Sequence, residues 1–118
     1  MVNIIPDIKV GNIGTRLRVR ITKVKDTIAP EDVKGLESER EPVNLTTAQT
    51  VWIELEIPKG KRKPLLVATI IDAQNGLIEK IDSTGIFDVD GRWKIRGLVQ
   101  FNSGNLFKGT WTGFMVGD

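Results

Sequence analysis

With 118 residues, 40% hydrophobic and 27% charged, the chain is long enough to bury one core and too apolar for disorder to be the default. It has no cysteine and no histidine, which removes disulfides, thiolate nucleophiles, Cys-ligated zinc, the commonest general base and the imidazole metal ligand together. The formal net charge of +2 hides an asymmetry: residues 25–42 hold six acids against three bases, so that stretch is −3 and the remainder +5.

The opening "MVNIIPDIKVG" has no positive leader and no long apolar core, and no run approaches the roughly 18 apolar residues of a membrane span. The expectation is a soluble protein with its initiator Met in place and one domain over residues 1–118. Within that opening, "VNIIPDIKV" reads as a first strand, with Pro6 marking an edge or a break because proline cannot donate to a ladder. In "TRLRVRI", Arg16, Arg18 and Arg20 alternate with Leu17, Val19 and Ile21, the period of a half-buried strand. Residues 25–42 lose that alternation, and Pro30 followed by Glu31 and Asp32 suits the first turn of a short helix. The stretch reads as one long loop at an end of the fold.

Alternation returns at Val51, Ile53, Leu55 and Ile57, interleaved with Trp52, Glu54 and Glu56. "KGKRK", Lys59 to Lys63, lies between two prolines and reads as a solvated turn whose lysines discourage edge-to-edge pairing; contact with an acidic neighbour or polyanion is its other reading. "PLLVATIID" and "GLIEKID" flank "AQN", where Asn75-Gly76 is a tight-turn dipeptide, and so form a hairpin or bend. Asp88 and Asp90 in "FDVDGRW" sit two apart before a glycine, but the further oxygen ligands of a calcium loop do not follow, so a turn is expected. Trp93, Ile95, Val99 and Phe101 alternate with Lys94, Arg96 and Gln100, and "NSG" at 102–104 turns that strand into "NLFKGTWTGFMV". The sum is about seven short strands, the pattern of an antiparallel β-sandwich.

Three features bear on function. Arg16, Arg18 and Arg20 point to one face, about 6–7 Å apart, which suits either a polyanion-tracking array or an ordinary wet strand face. A nucleic-acid surface would add exposed aromatics or a larger net charge, so the wet face is preferred, with Glu54 and Glu56 as cross-strand partners. Trp93 and Trp111 are expected as core anchors. Trp52 falls instead on the face of Glu54 and Glu56, where it serves as a sugar-stacking platform, a protein-contact anchor, or packing beneath the 25–42 loop. No residues assemble into a catalytic, cofactor or metal site, so no enzyme activity and no cofactor are expected.

Order and spacing then carry a likeness. A glycine-rich entry (Gly11, Gly14, Thr15) precedes the first alternating strand, and Pro42 to Thr46 leads through Ala48 to the next. Pro58 to Gly60, the Asn75-Gly76 turn after "IIDAQ", Gly91 to Trp93, and the Phe101 to Gly104 hairpin follow in turn. From residue 9 to 116 this resembles the N-terminal domain of phage baseplate upper proteins and its immunoglobulin-like relatives in tail and fibre proteins. Two departures are the acidic stretch 25–42, where relatives commonly have a short hairpin, and an end at Asp118, where they commonly continue into a coiled coil or receptor-binding domain. The resemblance implies an immunoglobulin-like antiparallel sandwich and a non-enzymatic virion component of tail, baseplate or neck, in several copies beside other virion proteins. Neither nucleic acid nor membrane is among the expected partners. A head decoration or collar protein and a carbohydrate-binding adhesin are the alternatives. It also implies that Glu54 and Glu56 lie against Lys94 and Arg96 on a neighbouring strand. The candidate contact residues are Arg16, Arg18, Arg20, Glu31, Asp32, Glu37, Glu39, Glu41 and Trp52.

Overall fold

The computed structural model describes residues 8–24, 40–82 and 85–117. Most of the acidic stretch, including the expected helical turn at Pro30 to Asp32, and most of the first expected strand lie outside the described residues. Among the described residues there is no helix. The strands are β1 (Ile8–Lys9), β2 (Arg16–Arg20), β3 (Thr22–Val24), β4 (Arg40–Pro42), β5 (Ala48–Glu56), β6 (Leu66–Val67), β7 (Thr69–Asp72), β8 (Leu77–Ile81), β9 (Gly91–Phe101), β10 (Leu106–Lys108) and β11 (Thr112–Gly117). The expected short strands become these because three are split, at Ile21, at Ala68 and at residues 109–111, and because the acidic stretch contributes β4 at its end.

Three sheets form among the described residues. One runs β1-β11-β9-β5-β6, with β10 on the same edge of β9 as β11, the second runs β2-β8-β7, and the third is the pair β3-β4. All pairs are antiparallel except β1 with β11. In immunoglobulin lettering β2, β8 and β7 are strands B, E and D, while β6, β5, β9 and β10/β11 are C′, C, F and G. The chain is an all-β, immunoglobulin-like sandwich. The B–F disulfide of antibody domains has no counterpart, since there are no cysteines.

Core and surface follow from the alternation. Leu17 and Val19 of β2, Val51, Ile53 and Leu55 of β5, Ile78 of β8, and Trp93, Ile95 and Val99 of β9 are buried together with Ile21, Leu45, Phe87 and Val116. At one end Phe87, Trp93 and Phe114 form an aromatic cluster with centroids 5.2–6.4 Å apart, and the indole Nε1 of Trp93 donates to the carbonyl of Val89 at 3.0 Å. The sheets meet where Ile21 lies over Gly97: a Cβ on Gly97 would stand 2.6 Å from Ile21 Cγ1. The place admits glycine alone without repacking.

The expected hairpin forms between β7 and β8, closed by a loop that runs from Ala73 to Gly76. Asp72 holds it, accepting from the backbone N–H and side-chain amide of Asn75. Gly76 itself has φ +67°, and a Cβ there would meet the carbonyl oxygens of Ile21 and Val43 at 2.6 and 2.8 Å. The Ile21 N–H in turn donates to the Gly76 carbonyl, so the turn is stitched to the β2–β3 junction. At the end of the acidic stretch, residues 40–42 are strand rather than loop: Thr22, Lys23 and Val24 pair with Pro42, Glu41 and Arg40. Arg40 donates to the hydroxyl and carbonyl of Thr22 at 2.8 Å each, so both ends of segment 25–39 are held side by side.

Candidate functional site

The outward face of β2-β8-β7 is built by register. Arg16, Arg18 and Arg20 stand opposite Ile81, Glu79 and Leu77, and Glu79 stands opposite Thr69. Directly opposed residues share a face, so the three arginines do lie together, as their spacing requires. Their partner is not what the sequence led us to expect. Glu79 takes Arg16 Nε at 3.2 Å and Arg18 Nε at 3.0 Å, whereas Glu54 and Glu56 belong to the other sheet. One carboxylate thus orients two guanidiniums that stay 56% and 34% exposed, and the face keeps a positive excess.

Beside this clamp is an open groove of about 350 Å³ lined by Val67, Thr69, Ile71, Glu79, Lys80 and Ile81. Three large apolar side chains are exposed in it, Val67 at 63%, Ile81 at 46% and Ile71 at 42%, with exposed Leu65 just before β6. The chain from Leu66 to Asp72 forms the edge of both sheets, pairing with β5 and then with β8. Ile71 is the extra residue of a bulge between Ile70 and Asp72, and bulges at edges re-aim side chains. The result is an apolar edge open to water next to cations, an exposure that edge strands ordinarily avoid. Sequence reading missed it because "PLLVATIID" does not alternate, so the pattern does not tell which of its apolar side chains face water.

The outward face of the other sheet is arranged differently. Glu54 opposes Arg96 and Glu56 opposes Lys94, the cross-strand ladder that the resemblance implied. Arg96 donates through Nε to Glu54 Oε1 at 2.7 Å, with Nη2 at 2.6 Å. Both side chains are only 11% exposed. The cover is Trp111, whose ring lies 4.3 Å from the Arg96 guanidinium carbon, with Arg62 at 5.5 Å. Trp111 is therefore not a core anchor. It is half-buried on the outside, in the break between β10 and β11, where the change of strand takes it out of the alternation. Glu56 sits between Arg62 at 3.9 Å and Lys94 at 3.8 Å.

Of the other expected residues, Trp93 is fully buried and Trp52 is half-buried opposite Val67 and Leu98. Glu41 lies in β4, 3.8 Å from Lys23. Glu31, Asp32, Glu37 and Glu39 are outside the described residues. In the "KGKRK" turn, Ile57 N–H donates to the Lys61 carbonyl and Lys63 reaches Asp88 at 2.9 Å. The hydrogen bond from Lys63 is the leading cause that holds the Asp88 carboxyl below its ordinary value. Among the described residues no group of three acidic side chains could hold a metal ion. The chain matches no protein-family model and no curated protein. The arrangement orients two arginines beside an apolar recess.

Proposed function

We propose that the chain is a non-enzymatic structural protein of a bacteriophage particle, a tail, baseplate or neck component that docks other virion parts in a symmetric, multi-copy assembly. The observation that supports this reading best is the outward face of β2-β8-β7, where Glu79 presents Arg16 and Arg18 beside the exposed Val67, Ile71 and Ile81. Apolar anchors flanked by arginine are the composition of protein–protein contacts. Repeated copies make a modest contact sufficient, because each bond holds its neighbours at high effective concentration. The order and spacing of turns shared with phage baseplate and tail domains point to the particle as the setting. Mass spectrometry of purified particles tests it: the chain is expected among the tail-fraction proteins, and its absence from particles would overturn the reading. Recovery with the head fraction would instead make it a decoration or collar protein. A glycan array is expected to stay blank; binding lost in Trp52→Ala would make the protein an adhesin.

A further inference from the structure

Asn75-Gly76 is the only Asn-Gly step in the sequence, and in the loop between β7 and β8 its asparagine is exposed and its glycine buried. The step has a chemistry of its own, because the backbone nitrogen of a following glycine, unhindered by a Cβ, can reach the side-chain carbon of asparagine. Three contacts decide how often it does so here. Asn75 Nδ2 donates to Asp72 Oδ2 at 2.8 Å and the Asn75 N–H donates to Asp72 Oδ1 at 3.3 Å. The Gly76 N–H donates to the Ala73 carbonyl at 3.4 Å. The last is long for a hydrogen bond of its kind, whereas the first is short and assisted by charge.

We propose that Asn75 is a site of spontaneous deamidation and that Asp72 is the positioning residue that holds the reaction in check. The Gly76 nitrogen gives its proton to solvent and bonds to Asn75 Cγ; the Cγ–Nδ2 bond breaks and that nitrogen leaves as ammonia. Water then opens the cyclic imide at either carbonyl, leaving aspartate or an isoaspartate whose main chain runs through Cβ and Cγ. The net change is one water in and one ammonia out. Asp72 opposes it twice: its hydrogen bond must open before Nδ2 can leave, and its negative charge lies beside the anion that forms at Cγ as the ring closes. The effect reaches beyond the loop. The Gly76 carbonyl accepts from the Ile21 N–H at 2.8 Å, and a Cβ on Gly76 would stand 2.6 Å from the Ile21 carbonyl oxygen. An extra main-chain carbon has no room at this stitch, so isoaspartate loosens the β2–β3 junction.

Peptide mapping by mass spectrometry of the purified chain, held in mildly alkaline buffer, measures aspartate and isoaspartate at position 75 over time. Folded wild type is expected to convert about tenfold more slowly than the same chain in guanidinium chloride. Asp72→Ala is expected to speed the folded chain about five- to tenfold, and Asp72→Asn, which keeps an acceptor and drops the charge, by less. In guanidinium chloride the three chains are expected to convert at one rate, since a carboxylate three residues away no longer faces the amide. Unchanged circular dichroism checks the fold of each variant; if Asp72→Ala fails to fold, Asp72→Asn carries the comparison. A folded wild type that converts as fast as the denatured chain, or folded Asp72 variants no faster than wild type, overturns the proposal. So does an Asn75 that stays intact in all three folded chains. Hydrogen exchange reads the consequence: the Ile21 N–H is expected to exchange faster in the isoaspartate fraction, and an unchanged rate overturns the stated effect on the junction.

Discussion

The two outward faces of the sandwich use the same chemistry and reach opposite results. On β2-β8-β7, one glutamate, itself only 14% exposed, meets two arginines whose side chains stay 56% and 34% open to water. On β5-β9, one glutamate meets one arginine, Trp111 lies against the guanidinium, and the pair is nearly closed to water. The difference is the aromatic cover, not the charges. An exposed pair is screened and gains little; a covered pair that loses one member leaves a charge stranded in a poor solvent. The open face keeps its cations available to a partner, whereas the covered face commits them to the fold.

Removing one carboxylate from each face breaks this comparison most directly. Glu54→Ala is expected to cost about 3 kcal/mol in chemical denaturation, because Arg96 is left without its acceptor beneath Trp111. If the loss is under about 1 kcal/mol, the covered pair behaves as a surface pair and the contrast fails. Trp111→Ala comes next, at about 1–2 kcal/mol for the lost stacking on Arg96. That variant is also expected to make the Glu54–Arg96 contribution salt-sensitive, which a Glu54→Ala double-mutant cycle at two salt concentrations measures. Glu79→Ala is expected to cost at most about 1 kcal/mol and to lose even that in high salt.

The smallest effect belongs to half-buried Lys63 and exposed Asp88. The depressed Asp88 value means that the pair favours the charged carboxylate. Its contribution to stability is present above the ordinary carboxylate value of 3.8 and is lost as pH falls through the lower folded value. Lys63→Ala is expected to return Asp88 towards its ordinary value in a carboxyl NMR titration, and the stability difference from wild type is expected to vanish in acid. An unchanged Asp88 titration would show that Lys63 is not its partner.

How much of this was legible in the sequence depended on whether local pattern or distant contact decided the outcome. Alternation at Leu17, Val19, Val51, Ile53 and Leu55 marked which side chains face inward, since side-chain direction in a strand has period two whatever the fold. The same rule put Arg16, Arg18 and Arg20 on one face. It did not name Glu79 as their partner, because "GLIEKI" is apolar on both of its alternating sets and register is set between strands. Trp111 was misplaced for a related reason: the apolar run "NLFKGTWTGFMV" reads as one strand, and only the step at residues 109–111 turns the ring outward.

By itself the sequence determined an all-β sandwich of about seven short strands, an inward set of aliphatic side chains, the Glu54 and Glu56 face, and an acidic segment set against a basic remainder. These follow from backbone periodicity and composition, which act within a few residues. Tertiary structure alone decided that Glu79 clamps two arginines, that Arg96 is sealed by Trp111, and that residues 65–72 become an apolar edge shared by two sheets. Each of these depends on which strand lies beside which, and that is settled by packing the two sheets around Ile21 and Gly97, residues 76 positions apart in the chain.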